Sequence, residues 1–386
     1  MKERAAPLGD RHGGITNWVL AAGLVGLLAQ TVSAQAVVVG GRPVFDVFSP
    51  GHHSDTALMH PIGAQFLGAG IIAVADVHGG RLLFFDTLGH RRNLGAEPKR
   101  YPFKHIAWIG TCGSDSLFVW DLMASQIAVI DTAGAIRRVF RPASLERTVS
   151  PAVTACSRTG MLAQQGVPSI PDSTLAKRPF RRAKEPIVTM DRSGREIGLS
   201  DPIATGEFVI IGGGAAPNPL APSTSLAFVG DDLYVGTADA PSVDVYSAPG
   251  ARGMTISVAA PREAPTERHR RAAIMDITST VAPVAATVVE RALNALPMRS
   301  GLLPPYTSLQ SDGEHLWVLL SSPGDDARIL VLNRDGSCAA KLELPLPVVP
   351  SSIQADRLVG TYVDASGTPH IAMFAVRWQR DARPNC

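Results

Sequence analysis

Residues 115–134, DSLFVWDLMASQIAVIDTAG, and residues 231–250, DDLYVGTADAPSVDVYSAPG, carry one pattern without a gap. Asp115 falls on Asp231, Leu117 on Leu233, Val119 on Val235, Val129 on Val245 and Gly134 on Gly250. A chain that repeats a short β-rich unit at distant positions cannot bury both faces of one copy alone, so neighbouring copies must stack on it. The unit recurs at 71–90 (IIAVADVHGGRLLFFDTLGH), in a longer copy ending VTMDRSG (188–194), and at 316–336 (LWVLLSSPGDDARILVLNRDG).

Each copy is a β-rich run, a polar connection, a second β-rich run and a turn of the form D/S/N-x-x-G. An Asp, Ser or Asn side chain bonds backbone groups two residues on, and glycine reaches positive φ freely, so the pair folds a hairpin. Gly89, Gly134, Gly194, Gly250 and Gly336 therefore read as hairpin glycines, because a phosphate-binding GxGxxG would need a following helix. IIGGGAAP (210–217) runs into prolines and reads as a loop. Further β-rich runs precede the unit at 105–110, 151–157, 223–228, 306–311 and 351–354, and follow it at 136–141, 196–200, 254–259 and 339–346.

Four antiparallel strands in about 40–60 residues, repeated, describe a propeller blade. The expected fold is all-β: a six-bladed β-propeller of four-stranded antiparallel blades, with seven blades as the rival count. The sixth unit, LVGTYVDASGTPHIAMFAVRW (358–378), has no room for a fourth strand before Cys386. The missing strand is expected from AVVVG or PVFDVF, within 36–48, which would close the ring.

The recurring D-x-L-[FYW]-V, the following [IV]-x-[VL]-[FIY]-[DSN]-x-x-G, and PPYTSLQSDGEHLWV (304–318) resemble the exported bacterial six-bladed β-propellers related to NHL-repeat and TolB-like propellers. The resemblance covers most of the chain after residue 35. It implies the propeller fold; function is left open, since such propellers include binding proteins, scaffolds and enzymes.

The N-terminus gives a cellular address. MKERAAPLGDRHGG is mildly cationic, ITNWVLAAGLVGLLAQ is apolar but short for a membrane span, and TVSAQA supplies small residues before Gln35. Residues 1–34 read as a cleaved signal peptide, with an uncleaved anchor as the alternative. Residues 35–386 are then one propeller domain, periplasmic or extracellular, with no membrane span after cleavage. A formal charge of +2 demands no nucleic acid.

Cys112, Cys156, Cys338 and Cys386 all lie in the exported part, where an even count favours two disulfides. A shift of 44, which carries Leu117–Val119 onto Met161–Ala163, also carries Cys112 onto Cys156. The two would sit at equivalent inner-strand ends of adjacent blades, leaving Cys338 with Cys386.

Up-and-down threading places the blade-to-blade connections and the loops between second and third strands on one face. Both long insertions fall there: 165–186 in blade three, and 261–304 between blades four and five. In the second, Val284, Val288, Val289, Ala292, Leu293 and Leu296 have helical spacing. Lys177, Arg178, Arg181, Arg182 and Lys184 in the first, with Arg262, Arg268, Arg270 and Arg271 in the second, form a candidate basic face for an anionic small molecule, a glycan or an acidic protein patch. Plain solvated loop charge is the competing reading.

No catalytic or cofactor constellation is visible. GxSxG, HExxH and the P-loop do not occur. The expected inner-strand side chains, His105, Thr154, Ser225, Ser308 and Ser352, lack the carboxylates a hard cation needs. His52, His53 and His60 read as loop residues with no completing ligand. Asp76, Asp121 and Asp364 recur at strand ends and read as loop caps; Trp108, Trp120, Trp317 and Trp378 read as packing residues between blades. The expected function is therefore a monomeric, non-enzymatic, exported binding module acting through the insertion-bearing face, without metal or cofactor. The alternative is a lactonase- or esterase-like hydrolase, or a lyase, on the same fold.

Overall fold

The computed structural model describes residues 36–39, 42–48, 58, 61–68, 70–77, 80–94, 103–113, 115–146, 150–167, 180–211, 214–218, 220–248, 250–279, 283–296, 301–322, 326–354 and 356–379. Five sheets have four strands in simple sequential order, running inner to outer from Pro61–Arg92, Ile106–Phe140, Ser150–Leu199, Ser225–Ser257 and Tyr306–Glu343. We number these blades one to five. The sixth holds Val349–Gln354, Arg357–Val363 and Pro369–Gln379, and its outer position is filled by the N-terminal segment in two pieces. Ala36 pairs with Gln379 and Val39 with Val376; Phe45 then pairs with Met373 and Phe48 with His370. Both candidate segments, AVVV and FDVF, thus close the ring together.

Six apolar clusters show why the closure holds. Each straddles one pair of adjacent sheets, from Leu67 and Phe84 against Ile109 and Ile130 between blades one and two, to Phe374 and Leu358 against Trp317 and Ile329 between blades five and six. Phe45, Val359 and Met373 against Ile72 and Phe85 join blade six to blade one. Because every sheet is covered on both faces, second strands such as Leu316–Leu320 are buried along their whole length.

The turns ending at Gly89, Gly134, Gly194 and Gly336 form as the residues dictate. The amide of Gly134 donates to the Asp131 carbonyl at 2.9 Å while Asp131 Oδ1 accepts from Ala133 and Ala135 at 3.0 and 2.8 Å. Gly194 adopts φ +86° and lies against Phe140, in the outer strand of the preceding blade, where a Cβ would come within 2.4 Å. The turn glycine therefore serves two purposes, chain reversal and close blade stacking.

Two helices, Glu267–Ser279 and Pro283–Asn294, lie between the sheet ending at Ser257 and the one beginning at Tyr306. These are blades four and five in the order given above, and blades five and six when the closing sheet, which carries the N-terminal strands, is counted first. Val289 and Leu293 lie on the apolar stripe of the second helix and Leu296 just beyond its end; the first helix, rich in charge, has a weaker apolar stripe. IIGGGAAP is corrected: Phe208–Ile211 and Gly214–Pro217 pair as a hairpin, with Ile211 opposite Gly214. Gly214, one of the glycines that suggested a loop, is the first residue of the second of these strands.

Candidate functional site

The inner strands surround a cavity of about 920 Å³ on the ring axis. An inner strand presents an edge with no sheet partner, and its backbone groups must find other partners. Side chains of a neighbouring blade supply them. Thr111 Oγ1 donates to the Phe66 carbonyl at 2.7 Å, Gln65 Nε2 donates to the Ser351 carbonyl at 2.5 Å, and Ser225 Oγ accepts from the Leu309 amide at 2.9 Å. Ser352 Oγ accepts from the Phe66 amide at 3.4 Å, and Thr154 Oγ1 accepts from Gln164 Nε2 at 3.2 Å. Three of the predicted axial side chains, Thr154, Ser225 and Ser352, are thus engaged in pinning strands and blades. Among the described residues no group of three or more His, Cys, Asp or Glu is arranged to hold a metal ion.

On the face opposite the insertions, the disulfide Cys112–Cys156 joins the inner-strand ends of blades two and three, with Cα atoms 5.4 Å apart. Such a bond fits an oxidising compartment. Cys338 is disulfide-bonded as well, and Cys386 lies outside the described residues. Two residues beyond Cys156, Arg158 reaches from blade three to blade five, where its Nη2 donates to the Asp312 carbonyl. The Asp312 carboxylate faces the other way. It accepts from His315 Nδ1 at 3.0 Å, Trp317 Nε1 at 3.1 Å and the amides of Glu314 and His315. Burial opposes its ionisation, but these donors outweigh burial and hold its pKa below the usual carboxylate value.

The insertion-bearing face is a built structure. Phe180–Arg181 pairs with Phe208–Ile211, and Val209 packs against Ile274 and Leu293 of the two helices. Insertion 165–186, the connection between blades three and four, and insertion 261–304 are therefore joined. The basic residues divide accordingly. Arg182 Nε and Nη2 donate to the carbonyls of Thr205 and Thr237 at 2.7 and 2.9 Å, and its Nη1 pairs with Asp239. Arg270 Nη2 donates to the Asn294 carbonyl, capping the second helix. Arg181 lies in the strand paired with Phe208–Ile211, Arg268 has a partner, and Lys184 and Arg271 are exposed. Lys177 and Arg178 lie outside the described residues, as do His52, His53 and His60.

One convergence of titratable groups was not legible in the sequence. His370 Nδ1 stands 2.8 Å from Asp46 Oδ1, its Nε2 stands 3.2 Å from Asp364 Oδ2, and Tyr362 donates to Asp46 Oδ2 at 2.6 Å. Burial, then the Asp46 carboxylate, push the Tyr362 hydroxyl pKa upward. Asp46 comes from the N-terminal strand and the others from blade six, so the cluster fastens the ring closure. Asp364 also accepts the amides of Ser366 and Thr368 at 2.8 and 2.9 Å. Asp121 likewise caps the amides of Lys104, His105 and Ala124, whereas Asp76 pairs with Arg81 at 2.5 Å.

The sheets and their closure define the protein as a six-bladed β-propeller. No family model and no curated protein matches the chain. Among solved structures it is similar to a protein described as exported from Bacteroides fragilis, at 13% identity and TM-score 0.47, over 89% of this chain and 95% of that one. It is also similar to a gluconolactonase from Xanthomonas campestris, at 14% identity and TM-score 0.44, over 88% and 100%. A virginiamycin B lyase from Staphylococcus aureus follows at 10% identity and TM-score 0.40, over 89% and 99%. These likenesses concern the fold alone.

Proposed function

We propose that the protein is an exported, non-enzymatic binding module that engages a protein partner or anionic ligand through its insertion-bearing face. The observation that carries this reading is the joining of three separate excursions into one cap with its own apolar contacts, Val209 with Ile274 and Leu293. Chain invested in a cap outside the ring adds a surface that the blades do not need. Lys184 and Arg271, with Lys177 and Arg178, are the proposed contacts for negative charge. No helix among the described residues is long and apolar enough to cross a membrane.

The Leu303 amide donates to the Glu263 carbonyl at 2.7 Å, so the ends of the helical hairpin meet and it can be excised with a short linker. Cross-linking and pull-down from envelope extract should recover a partner with the intact chain and lose it with the excised one. The same partners recovered by both would refute the assignment of the face. Turnover of lactones or esters, abolished by a chelator, would favour the hydrolase alternative.

A further inference from the structure

The axial cavity, distinct from the insertion-bearing face, has an asymmetric wall. Its volume of about 920 Å³ falls in the range of ~300–1,000 Å³ common to small-molecule sites. Of the hydroxyls around it, Thr111 and Ser352 are engaged between blades and Thr154 and Ser311 within one, but the Gln310 amide and Ser351 Oγ line the wall with no side-chain hydrogen bond among the described residues. The Trp108 ring lies over Gly110, where a Cβ would come within 2.2 Å of it, and also lines the cavity.

Among the described residues lining the cavity, charge is confined to the end away from the insertions. Asp312 already receives four donors, and Asp115 sits exposed on the rim. Arg158 is the cation in the wall. Its guanidinium lies flat on Gly313, at φ +92°, where a Cβ would come within 2.3 Å. One N–H bonds the Asp312 carbonyl; no carboxylate of the described residues pairs with the rest of the planar fork, which suits a ligand carboxylate.

We propose that the axial cavity binds an oligosaccharide bearing a carboxylate, with Arg158 on the acid group, Trp108 stacking on a sugar ring, and Gln310 and Ser351 bonding hydroxyls. An indole beside amide and hydroxyl groups matches the alternating apolar and polar faces of a sugar.

The test compares trigalacturonate with its methyl ester by calorimetry on the full mature chain at low salt. The intact protein should bind the acid at least tenfold more tightly than the ester. Arg158→Gln should remove that preference, Arg158→Lys should keep part of it, and Arg137→Gln, on the exposed outer strand of blade two, should leave it unchanged. Melting temperatures report whether each variant folds. As a measurement on the intact chain, the acid should protect Arg158 from phenylglyoxal, read by mass spectrometry. Equal affinity for acid and ester, binding of neither, a preference that survives Arg158→Gln, or no protection of Arg158 would each overturn the proposal. None of these outcomes touches the cap, whose excision is read separately by partner recovery.

Discussion

Two glycines share a backbone conformation and differ in what surrounds them, which lets blade stacking be measured. Gly194 has φ +86° and a virtual Cβ 2.4 Å from Phe140 Cδ2; Gly367 has φ +82° and nothing within 4 Å. Alanine at either position meets the left-handed penalty of about 1–2 kcal/mol. At Gly194 alone, the new methyl must also displace a ring held by Phe118 at 6.4 Å and by Arg138 at 4.8 Å. Overpacking of that kind costs about 1–3 kcal/mol. Gly367→Ala should therefore cost about 1–2 kcal/mol and Gly194→Ala about 2–5 kcal/mol, read from urea midpoints at unchanged slope. Phe140→Leu placed on Gly194→Ala should recover part of the difference. Equal costs for the two alanines would refute the claim that turn glycines are needed for blade stacking.

Removing the Cys112–Cys156 crosslink by a double alanine substitution frees a segment with a sequence separation of 44. Loop-closure entropy puts the loss at about 4 kcal/mol, and a urea-measured loss below about 1 kcal/mol would contradict it. Tyr306 donates to the Ser242 carbonyl at 2.7 Å and accepts from the Ala238 amide at 3.2 Å, while burial pushes its pKa up to about 12. Its contribution is complete below pH 10 and lost as pH rises through 12; Tyr306→Phe should cost about 1–3 kcal/mol at neutral pH and flatten that alkaline decline. Asp191, held at about 2 chiefly by the Ser193 hydroxyl, contributes above its ordinary value of 3.8 and loses that contribution as pH falls through 2. Urea midpoints between pH 4.5 and 2.5 should drop less in Asp191→Asn than in the parent.

The fold was legible because the repeat is enforced by geometry at each blade. An Asp that caps a turn and a glycine that admits the neighbouring strand are local requirements, and they recur in register. The Cys112–Cys156 pairing followed from the same register. Contacts made once in the ring left no repeat to read. Arg158 and Asp312 are separated by 154 positions, and Asp46 and His370 by 324. The hairpin at 208–217 was obscured because its glycines resemble those of a loop until a strand such as Phe180–Arg181 is seen to pair with it. The DASGTPH segment held a usable signal: its D-x-x-G turn falls after the second strand, and the following histidine is placed back against Asp364.

The basic residues of the insertions show how charge in an excursion divides between building and binding. A connection that leaves a closed ring must find partners for its own backbone groups, and buried carbonyls accept well from a cation. Arg182 uses two of its nitrogens on the carbonyls of Thr205 and Thr237, and Arg270 closes the end of a helix at Asn294. Their side chains are only 19% and 14% exposed. Neutralising them should therefore loosen the cap before it weakens a ligand contact. Lys184 and Arg271 stand exposed, so substitutions there separate recognition from assembly. A partner that responds to Arg182 or Arg270 alone would be reading the shape of the cap and not its charge.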